Sequence, residues 1–250
     1  MPPAPIASSP ASRESCRTCR LSSLCLPQDL PRQEIDALAR IVRRRRPLPR
    51  GAQLFQAGSH FRSIFAIRTG AVKTSTLLLN GDEHISGFHL PGEILGLDAI
   101  DTQRHPSASV TLEKSSICEI PFAELESLGQ HTPALQRRLL RIMSRELTAE
   151  HGTVHLLSCR SAEQRLAAAL LDFSRRFAHR GLHADRLYLP MSRLDLANYL
   201  GLAPETMSRT VRRLEAQGTL RIAGKEIALA DIGVLQELAH GTASKSHDAT

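Results

Sequence analysis

Three cysteines crowd one short N-terminal run, Cys16, Cys19 and Cys25 in SCRTCRLSSLC, and a fourth, Cys118, stands far downstream. The run reads C-x2-C-x5-C. Thiolates are soft ligands, and four of them complete the coordination of a zinc ion or hold an iron–sulfur cluster. Arg13, Arg17 and Arg20 surround the run. Their charge would favour thiolates and offset the negative charge of a core held by four of them. Zinc commonly draws on paired short loops, whereas here the fourth cysteine stands alone in a sheet-rich segment. Coordination chemistry leaves both metals open. A disulfide ranks third, because five cysteines is an odd count and clustered thiols in a reducing compartment more often bind metal or do redox chemistry.

A second constellation lies near the other end, in SRLDLANYLGLAPETMSRTVRRLEAQG. Ser192 and Asp195 have capping-box spacing, so a helix starts there. Ala197 is small where two helices must cross closely. Gly201 permits the tight turn between them. Pro204 suits the first turn of the second helix. On that helix Met207, Val211 and Leu214 point inward, while Glu205, Ser208 and Arg209 share the opposite face at i, i+3 and i+4. This is the helix end that enters a DNA major groove. Arg209 is suited to guanine O6 and N7, Glu205 to cytosine N4, and Ser208 to a thymine or a phosphate. Arg212, Arg213, Arg221 and Lys225 are placed to reach phosphates. The Leu220–Leu229 segment, turning at Ala223-Gly224-Lys225, reads as a β wing.

These residues need a scaffold, and the pattern of the chain supplies one. Pro31 to Val42 reads as a helix with Ile35, Leu38, Ala39 and Val42 on one face. The run Arg43–Arg46 reads as solvated charge, and Pro47 and Pro49 end the helix. From about Leu48 to Phe122, short apolar segments alternate with glycines. Asn80-Gly81 between TSTLLL and EHISGFHL is a hairpin signal. Regularly punctuated short strands imply an antiparallel jelly roll. A long helix follows, with Thr132 to cap it and Pro133 in its first turn. Leu140, Met143, Leu147, Glu150, Val154 and Leu157 step by three and four along it, which is a heptad seam interrupted by one acid.

Bulk properties agree. The chain has 250 residues, a net charge of +7 and 42% hydrophobic residues without tryptophan. Aliphatic side chains must therefore fill its cores, and an anionic partner is favoured, nucleic acid before an acidic membrane surface. No stretch is long and apolar enough for a membrane span, and MPPAPIASSPASRESC has no export pattern, so the expectation is cytoplasmic. No nucleophile motif or acid–base pair suggests an enzyme.

The chain resembles the CRP/FNR superfamily of bacterial transcription regulators, and within it the FNR group of oxygen-sensing activators. The resemblance is carried by CRTCRLSSLC, GAQLFQAG, FAIRTGAVK, GDEHISGFHLPGEILGLDAI, ICEIPF, AEQRLAAALLDFSRRFAHR and NYLGLAPETMSR, in order along nearly the whole chain. It implies an α+β fold: an N-terminal tail and cysteine loop over residues 1–30, a jelly-roll sensor over 31–131, a dimerisation helix over 132–160, a winged helix-turn-helix over 161–240, and a tail over 241–250. It implies that Cys16, Cys19, Cys25 and Cys118 hold an oxygen-labile [4Fe–4S] cluster, in preference to structural zinc or redox thiols. Cys159 falls outside that ligand pattern and reads as a packing residue. Glu205, Ser208 and Arg209 become a reading triplet for a palindrome resembling TTGAT-N4-ATCAA. The implied partners are double-stranded DNA, RNA polymerase and, when the cluster is present, a second copy of the chain.

Relatives that bind a cyclic nucleotide use Gly-Glu followed by an Arg-Ser/Thr pair. Here Gly92-Glu93 is present, but the later pair reads Pro106-Ser107. A phosphate would lack its charge-assisted partner, so no cyclic nucleotide is expected, and Gly92-Glu93 reads as a strand turn. His84, His89 and His105 show no ligand spacing. Arg20 and Leu24, inside the cysteine loop, are placed to set how readily oxygen reaches a cluster. Two parallel copies of the long helix would bring each Glu150 toward its twin, opposing the apolar seam, so that a modest contribution from the cluster tips pairing.

Overall fold

Turn chemistry fixes the strand pairing of the first half. The computed structural model describes residues 15–44, 46–78, 80–159 and 161–241. Arg13, Arg45, residues 1–14 and 242–250, and the side chain of Val154 therefore lie outside the described residues. The chain divides into two units, Met1–Glu146 and Leu147–Thr250.

In the first unit, helix α1 (Arg32–Ile41) leads into β1 (Arg43–Arg44). There follow β2 (Gln53–Phe55), β3 (Ser63–Thr69), β4 (Val72–Leu77), β5 (Glu83–His89), β6 (Ile94–Leu95), β7 (Ala108–Thr111) and β8 (Ser116–Pro121). They form two four-stranded antiparallel sheets, ordered β1-β8-β3-β6 and β2-β7-β4-β5. Non-sequential neighbours in both sheets make this a jelly roll rather than a meander. The β4–β5 hairpin turns at Asn80-Gly81, where Gly81 takes a φ of 86° and the Asn80 carboxamide accepts from the Asp82 amide. The hairpin legible in the sequence is therefore present.

Within the run Arg43–Arg46, Arg43 and Arg46 are exposed, as expected of solvated charge, and the first two residues also pair into the sheet. Arg43 and Arg44 form an edge strand against β8, with Arg43 opposite Glu119 and Arg44 opposite Cys118. Arg43 also donates to Glu124 Oε1 at 2.6 Å. An edge position lets a basic strand pair on one side and keep its charges near water.

Helices α2 (Phe122–Gln130) and α3 (Pro133–Ser158) follow. The early turns of α3 bury Leu135, Arg138 and Ile142, spaced by three and four as one helical face demands. Leu135 and Ile142 join a core containing Leu26, Leu30, Leu38, Ile64, Ile120 and Cys118. Leu26 of the cysteine loop is thus a core residue, and its burial is worth roughly 2 kcal/mol.

The second unit contains the rest of α3, then α4 (Ala162–Ala178), β9 (Arg186–Tyr188), α5 (Arg193–Tyr199), α6 (Pro204–Ala216), β10 (Leu220–Ala223), β11 (Glu226–Leu229) and α7 (Ile232–His240). Ser161 caps α4 in a reciprocal capping box with Gln164. The strands form one antiparallel sheet, β10-β11-β9. The architecture is the α+β class expected, a β jelly roll and a helical unit with a three-stranded wing. Among the described residues no helix is long and apolar enough to cross a membrane.

Candidate metal centre and nucleic-acid interface

Successive turns shape the cysteine loop. The Ser22 amide donates to Cys19 O, the amides of Leu24 and Cys25 to Leu21 O, and that of Gln28 to Cys25 O. Leu26 then anchors the loop in the core, and Cys25 packs against the same cluster of side chains. Cys118 sits mid-strand on β8, flanked across the ladder by Arg44 on one side and Ala66 on the other.

The fold brings Cys16, Cys19, Cys25 and Cys118 near enough for their charges to act on one another. Burial pushes the Cys25 thiol up to about 12, and the charges of Cys118, Cys16 and Cys19 push the same way; the Leu26 backbone opposes them. Cys118 rises to about 11, first through burial, with Arg68 and Arg44 pulling it back. Cys16 is also raised by burial, while Arg44 opposes the shift through both its charge and a side-chain hydrogen bond. All five cysteines of the chain are free thiols. The structure thus gathers four soft donors with two guanidinium groups beside them.

The donor set suits a core that takes four thiolates. The gathering is loose: among the described residues, no three of His, Cys, Asp and Glu converge into a site for one metal ion. Cys159 belongs to the second unit, where its carbonyl accepts from Arg165 Nε.

The sequence pointed to Arg13, which lies outside the described residues, Arg17 and Arg20 as the charge-balancing residues. Arg17 instead pairs with Asp36 at 3.5 Å, and Arg20 is exposed. Arg44 and Arg68 take that role, contributed by strands. Arg138, on α3, also reaches the loop: Nε donates to Cys25 O at 3.1 Å, and Nη2 donates to Leu24 O and Cys25 O, each at 2.9 Å. Its position four before Ile142 and three after Leu135 was the available signal that it faces inward.

Gly92 and Glu93 form a tight turn. Glu93 Oε2 accepts from the Leu90 amide at 3.0 Å. Gly92 has a φ of 92°, and a Cβ there would come within 2.8 Å of Leu24 Cβ. Ser107 donates to Asp98 Oδ2 at 3.1 Å. His105 stacks on Phe55 at 4.0 Å between ring centroids, and burial lowers its pKa.

In the second unit, Ser192 and Asp195 make the reciprocal capping box that starts α5. Gly201 turns with a φ of 61°, and the Leu202 amide donates to Ala197 O at 2.9 Å. Arg165 Nη1 secures this turn by donating to Leu200 O and Gly201 O. Met207, Val211 and Leu214 are buried on α6. That leaves Glu205 and Arg209 exposed and Ser208 partly so. Arg212 is exposed. Arg213 donates into an ion pair with Glu163 Oε1 at 3.0 Å, which ties α6 to α4. The wing turns at Gly224-Lys225, with Ala223 opposite Glu226, and Lys225 Nζ lies 5.9 Å from the centre of the Tyr188 ring.

Along α3, Leu140 and Leu147 are 64% and 62% exposed. Met143 and Leu157 are partly buried, and Glu150 is exposed.

A polar reading face on the second helix of a helix-turn-helix, beside a β wing, defines a DNA-binding regulator rather than an enzyme. Comparison with known proteins agrees. A family model described as a Crp-like helix-turn-helix domain matches residues 164–238, and one described as a cyclic nucleotide-binding domain matches residues 45–132. The transcriptional activator protein FnrA of Stutzerimonas stutzeri is 46% identical over 226 residues, covering 90% of this chain and 93% of that protein. The fumarate and nitrate reduction regulatory protein of Escherichia coli is 42% identical over 227 residues, 91% of each chain. The solved structure of FixK2 from Bradyrhizobium japonicum superposes with a TM-score of 0.72 at 29% identity, over 79% of this chain and 97% of that one. The chain belongs to the CRP/FNR family of transcription regulators.

Proposed function

We propose that this chain is an oxygen-responsive regulator, and that Cys16, Cys19, Cys25 and Cys118 hold a [4Fe–4S] cluster that promotes dimerisation and operator binding. The observation that carries the reading is the gathering of these four thiols from two distant segments beside Arg44 and Arg68. When bound, such a cluster supplies lability toward oxygen. The chain's own residues do the rest. Four thiolates grip the centre, two arginines offset its charge, and Leu26 with its neighbours excludes water from one side.

The dimer is proposed to form along α3. Leu140 and Leu147 stand exposed on the single chain and would be covered by a second copy, with Met143, Val154 and Leu157 completing the seam. Glu150 opposes its twin and keeps pairing marginal. Glu205, Ser208 and Arg209 would read each half of a palindrome resembling TTGAT-N4-ATCAA, with Arg212 on phosphate. A monomer presents one reading helix and loses most specific affinity. Relatives named as a transcriptional activator and as a fumarate and nitrate reduction regulator support extending the proposal to activation through RNA polymerase and control of low-oxygen metabolism. Glu93 accepts from the amide of Leu90, Ser107 donates to Asp98, and Pro106 rather than an arginine stands immediately before Ser107, which supports a sensor without a cyclic nucleotide. The absence of any membrane-crossing helix among the described residues accords with a cytoplasmic site of action.

Anaerobic purification with iron and sulfide analysis tests this reading, followed by sedimentation before and after air. Iron-loaded dimer that becomes metal-free monomer in air is the expected result. Strictly anaerobic protein without iron that still pairs and binds the operator would end the reading.

A further inference from the structure

Arg138 is 2% exposed, and burying a guanidinium is costly unless charge and hydrogen bonds compensate. Three hydrogen bonds go to the carbonyls of Leu24 and Cys25. The third nitrogen, Nη1, is buried with no hydrogen-bond partner. Asp29, the acid whose charge acts on Arg138, is itself exposed and pairs with Arg141 at 3.5 Å. Carbonyl dipoles therefore satisfy part of the donor set, while the charge lacks a close buried anion. The group beside it is Cys25.

Arg138 lies two residues before Leu140 on α3. Leu135, Arg138 and Ile142 face inward, while Leu140 and Leu147 face out. One helical stretch thus holds the cysteine loop on one side and offers the pairing seam on the other.

We propose that Arg138 is the positioning residue through which loading of the four-cysteine centre is communicated to the dimerisation helix. The inference rests on the four-thiolate reading above. A centre bound by four thiolates is anionic and supplies the counter-charge that Arg138 lacks. The docked loop and the buried guanidinium then stabilise one another. With the centre lost, the cation keeps carbonyl partners alone, the loop loosens, and the first turns of α3 lose a fixed neighbour. The coupling is a difference between loaded and metal-free protein, which distinguishes it from ordinary packing.

The test compares wild type, Arg138→Lys and Arg138→Met, each purified anaerobically at full length. Iron, sulfide and the visible spectrum report loading, and sedimentation gives the dimer dissociation constant with and without metal. Compared at matched iron content, Arg138→Met is expected to lose about tenfold or more of the difference in dimer affinity between its loaded and metal-free forms. Arg138→Lys, which keeps the charge, should retain most of that difference. An undiminished difference in Arg138→Met overturns the proposal, as does an Arg138→Lys variant equally impaired. Should Arg138→Met not fold, amide exchange in the wild type decides. Loading should slow exchange at Leu24–Leu26 and Leu135–Ile142 together by about tenfold, and unchanged exchange at either segment overturns the coupling. Iron-free wild type would instead end the four-thiolate reading itself, a distinct failure.

Discussion

Arg44 stands directly across the antiparallel ladder from Cys118, and its charge also acts on Cys16. A single edge-strand guanidinium therefore addresses one cysteine of the loop and the lone cysteine of the sheet. It compensates charge at the point where the two segments meet. Replacing Arg44 with alanine should slow alkylation of Cys16 in metal-free protein at pH 8, because burial would then raise the thiol with less opposition. Peptide mapping of iodoacetamide labelling over time measures this; an unchanged Cys16 rate would remove Arg44 from the account.

The raised thiols also set a pH dependence. Cys25 and Cys118 sit at about 12 and 11 when folded, against an ordinary 9.0. The folded metal-free protein keeps these protons while the unfolded chain releases them near pH 9. Stability present below pH 9 is therefore lost as pH climbs toward 11–12. Denaturant midpoints of metal-free protein should fall over that range, and more steeply than in a Cys25→Ala, Cys118→Ala double variant. Parallel curves for the two proteins would contradict the buried-thiol account.

Gly92 sits where a side chain is excluded twice, by its left-handed backbone and by Leu24 Cβ. Gly92→Ala should cost about 1–3 kcal/mol, seen as a lower first thermal transition and faster proteolysis of the cysteine loop. Combining it with Leu24→Gly removes the steric part and should recover some of the loss. No recovery would mean the backbone conformation alone is responsible.

The arginines of α6 should separate by role. Arg209→Ala is expected to cost about 1–3 kcal/mol in operator affinity and to relax selectivity at one base pair of each half-site. Arg212→Ala should weaken binding to all sequences and lower the salt slope by about one. Arg213→Ala should affect DNA binding less than Arg212→Ala and thermal stability more, because its guanidinium is engaged with Glu163. Salt-dependent binding titrations on matched and mutated operators rank the three; Arg213 matching Arg212 in salt slope would reverse the assignment.

On α3, Leu147→Glu should abolish pairing, while Glu150→Ala should strengthen it and leave part of the protein dimeric in air. Sedimentation in the two gas phases checks both. A Glu150→Ala protein as monomeric in air as the wild type would refute electrostatic opposition along the seam.

Features governed by local chemistry were legible in the sequence. Asn80-Gly81 marked its hairpin, Ser192 with Asp195 marked the start of α5, and Met207, Val211 and Leu214 marked the inner face of α6. These depend on residues a few positions apart. The solvation of Arg43 was legible in the run of charge, but the pairing of Arg43 and Arg44 was not, because only the distant partner β8 makes them a strand. Arg138 was missed for a related reason: an arginine among the basic residues of QRRLLRIM looks like helix surface until the loop that covers it is known. Arg213 was read for its charge, but its engagement depends on Glu163 in another helix.

Cys118 occupies the interior of a sheet that its own hydrogen bonds complete, whereas the other three cysteines ride on a segment built from turns. The β framework does not need that segment to close. Assembly can thus proceed with the sheet finished and one sulfur waiting, the remaining three arriving last. Repair after damage would require the lid of turns to lift while the strands beneath stay paired.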